Sequence, residues 1–141
     1  MKILKLSAAV RQVSLNIPER SYLDFTISGQ SLKTLLNLEK SDLITLFGWG
    51  ENKDYTKKIL RIFRLQEKSN LQSGRIMLYV CPECGDIGCG AVTVRIEDLG
   101  DRIIWKDFGY ETDHGGVTKK YSDIPQVEFE RQSYFQAFSK L

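Results

Sequence analysis

Between residues 22 and 29, in YLDFTISG, Leu23, Phe25 and Ile27 alternate with Asp24, Thr26 and Ser28. That period of two predicts a half-buried strand ending at Gly29. The pattern then becomes helical. Ser31 is placed to cap a helix whose Leu32, Leu35 and Leu36 share one face. In SDLITLFGWG, residues 41–50, Ser41 again suits a cap, with Leu43, Leu46 and Phe47 facing inward and Gly48 as the stop, which predicts a second short helix. The strongest helical signal spans 53–68. There Ile59, Ile62 and Phe63 fall together, while Lys57, Arg61, Arg64 and Lys68 line a different face.

After Gly74 the period shortens. RIMLYV (75–80) is apolar on both sides, AVTVRIE (91–97) sets Val92, Val94 and Ile96 against Thr93, Arg95 and Glu97, and RIIWKDFGYE (102–111) returns after the turn DLGD. These three segments predict an antiparallel meander. TDHGGVTKKYSDIP reads as a loop, and Tyr134, Phe138 and Leu141 as the docking face of a C-terminal helix. The expected fold is α+β, an antiparallel sheet made of the 75–111 meander plus an N-terminal strand, with short helices packed on it, in one domain over 1–141.

The segment VCPECGDIGCGAV, 80–92, connects the first two meander strands and holds all three cysteines, Cys81, Cys84 and Cys89. The Cys-x2-Cys spacing followed by Gly85 has the composition of a metal knuckle, since two thiolates converge and a glycine frees backbone N–H groups. A structural zinc needs four ligands. Cys89 is a third candidate and His114, the single histidine, the fourth, with Asp86 behind it. A redox role needs a lowered thiol pKa, and Glu83 and Asp86 work against that. The favoured expectation is a tight glycine-bearing connection with small thiols, no resident cofactor, and a fold independent of zinc. An odd cysteine count crowded into one turn does not read as a disulfide framework and fits a reducing compartment.

Composition changes little: 42% hydrophobic and 27% charged residues over 141 positions are globular values. The charge distribution changes more. Residues 1–79 hold 13 Lys/Arg against 7 Asp/Glu, whereas residues 80–130 hold 5 against 11. One half therefore suits a basic partner, although solvated faces give the same balance. Lys5 and Arg11 break the apolar start MKILKLSAAV too early for a signal sequence, and no stretch approaches a membrane span, so a soluble cytoplasmic protein is expected. Hydrolase, metalloprotease and P-loop signatures do not occur. DFG at 107–109 stands without the other kinase motifs, and one histidine limits acid–base chemistry near neutral pH. The 57–68 basic face lacks interleaved aromatics, which disfavours nucleic acid.

LYVCPECGDIGCGAVTVRIE, IIWKDFGYE and VEFERQSYFQAF together resemble a family of small bacterial proteins with the pattern C-P-x-C-G-D-x-G-C-G-A-V-T, then W-x-D-F-G/A and a final F-[DE]-R-x-x-Y helix. The resemblance covers roughly residues 74–138, with looser likeness in FTISGQSLKTLL and LFGWG. It implies no catalytic residues. By analogy, small α+β proteins of this kind often serve as immunity proteins to secreted toxins, including those of contact-dependent growth inhibition. The resulting expectation is a non-enzymatic binding protein that neutralises a cognate toxin. Its contacts are expected at Glu111, Asp113 and Asp123, with Tyr110 and Tyr121 as aromatic anchors. The alternatives are a zinc- or thiol-dependent protein using Cys81, Cys84 and Cys89, and a nucleic-acid-binding module using the 57–68 face.

Overall fold

A computed structural model describes residues 1–11, 20–48, 53–82, 85–139 and 141, with the backbone alone at 11 and 20. The architecture is α+β, as the periodicity predicts, but the strands form two sheets. The first has the order β1-β2-β3, with β1 at Leu4–Arg11, β2 at Arg20–Ile27 and β3 at Gln30–Ser31. The second runs β4 (Ile76–Val80), β5 (Ala91–Asp98), β6 (Arg102–Thr112), β7 (Gly116–Lys120), and β8 (Val127–Glu130) also pairs with β6. Every strand pairing is antiparallel. β6 is long enough to serve two strands on one edge: residues 102–105 pair with β8 and residues 109–112 with β7. No helix among the described residues is long and apolar enough to cross a membrane.

Several expectations are corrected. The apolar start of the chain is β1, paired along its whole length with β2. Residues 43–47 form no helix. Ile44 exchanges backbone hydrogen bonds with Val80 at 3.0 and 2.8 Å, and Phe47 O accepts from Leu23 N at 2.9 Å. This segment satisfies the edge groups of β4 and β2 and ties the two sheets together, a return that outweighs an isolated helical turn. Trp49 and Gly50 lie outside the described residues. The basic helix, α2, spans only Lys53–Phe63. Leu65 at φ 60° turns the chain out of it, so Arg64 and Lys68 lie beyond the helix. TDHGGVTKKYSDIP contains β7, which the turn at 113–115 folds back onto β6. α1 is a single turn, Leu32–Leu35, and its Ser31 makes no side-chain cap. Ser31 Oγ donates instead to Asp24 Oδ2 at 2.6 Å.

Asp24, expected on a wet face of β2, is 6% exposed. Tyr79 Oη donates to its Oδ1 at 2.5 Å, joining the sheets through their interior. Burial, with Asp24 adding to it, pushes the Tyr79 phenol well up. The core holds an aromatic cluster among aliphatic side chains. Trp105 lies 5.4 Å from Phe25, 6.1 Å from Phe63, 5.3 Å from Phe129 and 6.1 Å from Tyr134, centroid to centroid, mostly edge to face. The C-terminal helix α3, Arg131–Ala137, brings in Tyr134 and Phe138. Tyr134 Oη accepts from Trp105 Nε1 at 3.4 Å and donates to Phe63 O at 2.8 Å, which satisfies a carbonyl at the end of α2.

Tyr134→Phe leaves that carbonyl and the indole N–H buried without this partner. Its expected cost is about 1–3 kcal/mol of stability at unchanged packing. Urea unfolding, with an unchanged m value, measures it.

Candidate functional site

The outer face of the second sheet, away from the aromatic core, carries a charged network that starts at Arg75. This side chain precedes β4 and is 1% exposed. Its Nε donates to Thr93 Oγ1 at 2.8 Å, Nη1 to Asp107 Oδ2 at 2.8 Å, and Nη2 to Thr93 O at 3.1 Å and to Asp107 O. Thr93 Oγ1 donates onward to Glu111 Oε1 at 3.1 Å, which itself lies 3.7 Å from Arg75 Nε. A buried guanidinium is tolerable only when its donors are met and its charge is balanced. Asp107 and Glu111 supply the charge.

β6 is shaped to deliver these groups. Thr93 pairs with Gly109 and Arg95 with Lys106, so Asp107 and Phe108 oppose the single residue Val94. That bulge places Asp107 at φ 60°, a conformation that Asp adopts more readily than most side chains. Gly109 is needed because a Cβ there would lie 2.9 Å from Lys119 O and 3.2 Å from Arg75 Nη2. Thus DFG has a local role: Asp107 meets the arginine, Phe108 enters the core, and Gly109 lets the guanidinium pass. Lys120 Nζ also donates to Asp107 Oδ1, and Arg95 Nε lies 3.5 Å from Oδ2. Lys120, and then Arg75, hold the Asp107 carboxyl below its ordinary range.

Beside this network lies a groove of about 620 Å³, lined by Asn70, Gln72, Ser73, Ile87, Asp113 and His114, with Glu111 at its base. The 70–73 loop forms one wall; Ser69 Oγ fixes its base by donating to Arg75 O at 2.5 Å. The turn between β6 and β7 forms the other wall. Glu111 is 6% exposed, while Asp113 and His114 are open to solvent with Nε2 and Oδ2 3.8 Å apart.

The expected contact residues divide between two faces. Glu111 and Asp113 share the groove. Tyr110 points to the opposite face of β6 and donates to Cys89 O at 3.0 Å. Gly90 makes room for it, since a Cβ there would collide with the Tyr110 hydroxyl. Tyr121 is half-buried beneath Lys119 Nζ, 5.2 Å from its ring centre, and its phenol is raised by burial and then by Tyr110. Asp123 is exposed in the turn after β7. Arg75, Thr93 and Asp107 were missed as a group. The available signal was a glycine inside a strand pattern, which marks a bulge or a close backbone approach.

Among the cysteines, Cys89 is disulfide-bonded, in contrast to the expected cluster of thiols. Cys81 is half-buried, and Cys84 lies outside the described residues. A disulfide sulfur is not a thiolate donor, so this arrangement does not assemble the three-thiolate set with His114. No group of three His, Cys, Asp or Glu placed to hold a metal occurs among the described residues. Cys89 ends a 3-10 turn, Ile87–Cys89, capped by Asp86 Oδ1 accepting from Gly88 N at 2.7 Å. On the basic face, Lys58 and Arg61 both pair with Glu67 at 3.1 Å, which lowers the Glu67 carboxyl, Lys58 first.

Comparison with protein families, with curated proteins and with solved structures finds no match for this chain.

The depressed Asp107 carboxyl contributes stability that is present above the unfolded carboxylate pKa of about 4 and is lost as pH falls through the lower folded value. Asp107→Asn retains the backbone conformation but loses the charge. The variant is expected to be less stable at neutral pH and to approach wild type below about pH 3, measured by chemical denaturation at each pH. A second expectation is that Cys89 resists alkylation in the folded protein until a reductant is added, read by peptide mass spectrometry.

Proposed function

We propose that the chain is a non-enzymatic binding protein, most concretely an immunity protein that neutralises a bacterial toxin by direct contact through the Glu111 groove. The observation that carries this reading is a carboxylate held at the base of an open groove by Arg75 and Thr93, with Asp113 at the rim. A preformed recess with a carboxylate at its base, its charge shared with Arg75, and another at its rim takes a lysine or arginine side chain at low ordering cost. Toxins that act on nucleic acid carry such cations at their active sites, and the acidic balance of residues 80–130 supports the same pairing. Asp113 and Asp123 supply long-range attraction from exposed turns at either end of β7, and half-buried Tyr121 stands two positions before Asp123.

Glu111 itself is a poor test position, because reversing its charge would set two cations together next to Thr93. Asp113→Lys and Asp123→Lys leave the network intact. Against a toxin domain taken from the gene neighbouring this one, where a toxin is encoded there, the double variant is expected to associate about tenfold more slowly at low salt, and less so at high salt, with unchanged unfolding. Surface plasmon resonance and growth protection on co-expression read the effect. Absence of any complex between wild type and the neighbouring toxin domain defeats the reading.

A further inference from the structure

At the other end of β6 from Glu111, a second groove of about 640 Å³ runs between α3 and the β5–β6 turn, lined by Arg64, Gly100, Asp101, Arg131, Gln132 and Gln136 among others. Its acids are already engaged. Glu130 accepts from Gln132 N at 3.0 Å and Ser133 N at 2.9 Å, capping α3. Asp101 accepts from Arg102 Nε at 3.2 Å and Nη2 at 3.1 Å, and Arg102 holds its carboxyl down. Arg131 reaches Asp98 through Nε at 3.2 Å and lies over the Phe135 ring at 5.0 Å.

Arg64 is different. It is half-buried, its Nε is fully covered, and that nitrogen meets no hydrogen-bond partner. No carboxylate among the described residues pairs with the guanidinium. The covered Nε is beyond a ligand's reach, but Arg64 lines the groove with no counter-charge, so an anion held there by the rest of the guanidinium gains a charge-assisted pairing. The backbone explains why it is there: Arg64 follows the last residue of α2, where Leu65 turns the chain away at φ 60°. From that position Arg64 borders the groove.

We infer that this groove is a binding site for a small molecule bearing an oxyanion, a carboxylate or phosphate, with Arg64 as its principal donor. A guanidinium fork matches both oxyanions in bidentate geometry. Arg131 and the side-chain amides of Gln132 and Gln136 stand along the same wall for the rest of the ligand. The volume is that of a small-molecule site and exceeds what one bare anion fills. This site is independent of the Glu111 groove and of the binding function proposed for it.

The test is an amide-resolved NMR titration of the full chain with inorganic phosphate, pyrophosphate and citrate, against sodium chloride at matched ionic strength. Saturable shifts at Gly100, Gln132 and Gln136 with pyrophosphate or citrate, at concentrations below roughly 10 mM, are expected. Arg64→Gln should weaken that binding about tenfold or more, the equivalent of one charge-assisted hydrogen bond, whereas Arg61→Gln on the neighbouring surface should not. In parallel, the anion should raise the wild-type unfolding midpoint progressively with its concentration and raise that of Arg64→Gln less. If Arg64→Gln does not fold, Arg64→Lys, which retains charge but loses the fork, should bind more weakly than wild type. Phosphate-type anions shifting the groove no more than chloride, or equal affinity in the Arg64 variants, would overturn the inference, with chloride-like shifts marking general screening only.

Discussion

Burying one guanidinium dictates much of the second sheet. Arg75 has no route to water, so its charge must be answered inside the protein. The answer requires a carboxylate from β6 at a position where a regular strand would point elsewhere. The bulge at Asp107 and Phe108 redirects it, and Gly109 clears the path. The same requirement positions Thr93 as a relay, accepting from the arginine while donating to Glu111. Such a network is satisfied or broken as a unit, which makes the outer face of the sheet rigid where the groove needs a rigid floor.

The inner face answers a different demand. The two sheets are joined by an aromatic cluster set among aliphatic side chains. Trp105 and Tyr134 also share a hydrogen-bonded chain that ends on the last carbonyl of α2, that of Phe63. Between the sheets, residues 44–47 supply backbone pairing on one side and the Asp24–Tyr79 bond supplies a buried polar link on the other. The polar link fixes the relative register of the sheets, something that ring packing alone does weakly.

Much of this was legible. The β4–β5–β6 meander followed from alternation, and α3 from the spacing of Tyr134 and Phe138. The failures have specific causes. LITLF carries helical spacing, but long-range pairing with Val80 and Leu23 overrides it, and no local window contains that pairing. Lys5 and Ser7 hid β1, because its outward residues are small and mixed. The groove residues Asp113 and His114 were visible as polar turn residues, yet Arg75 stood as a lone cation before an apolar run. Its meaning depends on Asp107 and Glu111, which are more than thirty positions away. Arg64 was read as part of a helical stripe because nothing in the sequence announces the left-handed Leu65.

The bond from Lys2 N to Glu128 O, at 2.8 Å, joins positions near the two ends of the chain. Closing so large a loop costs chain entropy that a single hydrogen bond cannot repay. The β4–β5 and β5–β6 hairpins close short loops and repay theirs at once. By the same entropy argument, the contact between Lys2 and β8 is expected to form after the local hairpins have paired. Such a closure between the ends of the chain raises the mean sequence separation of its contacts, the property that slows folding.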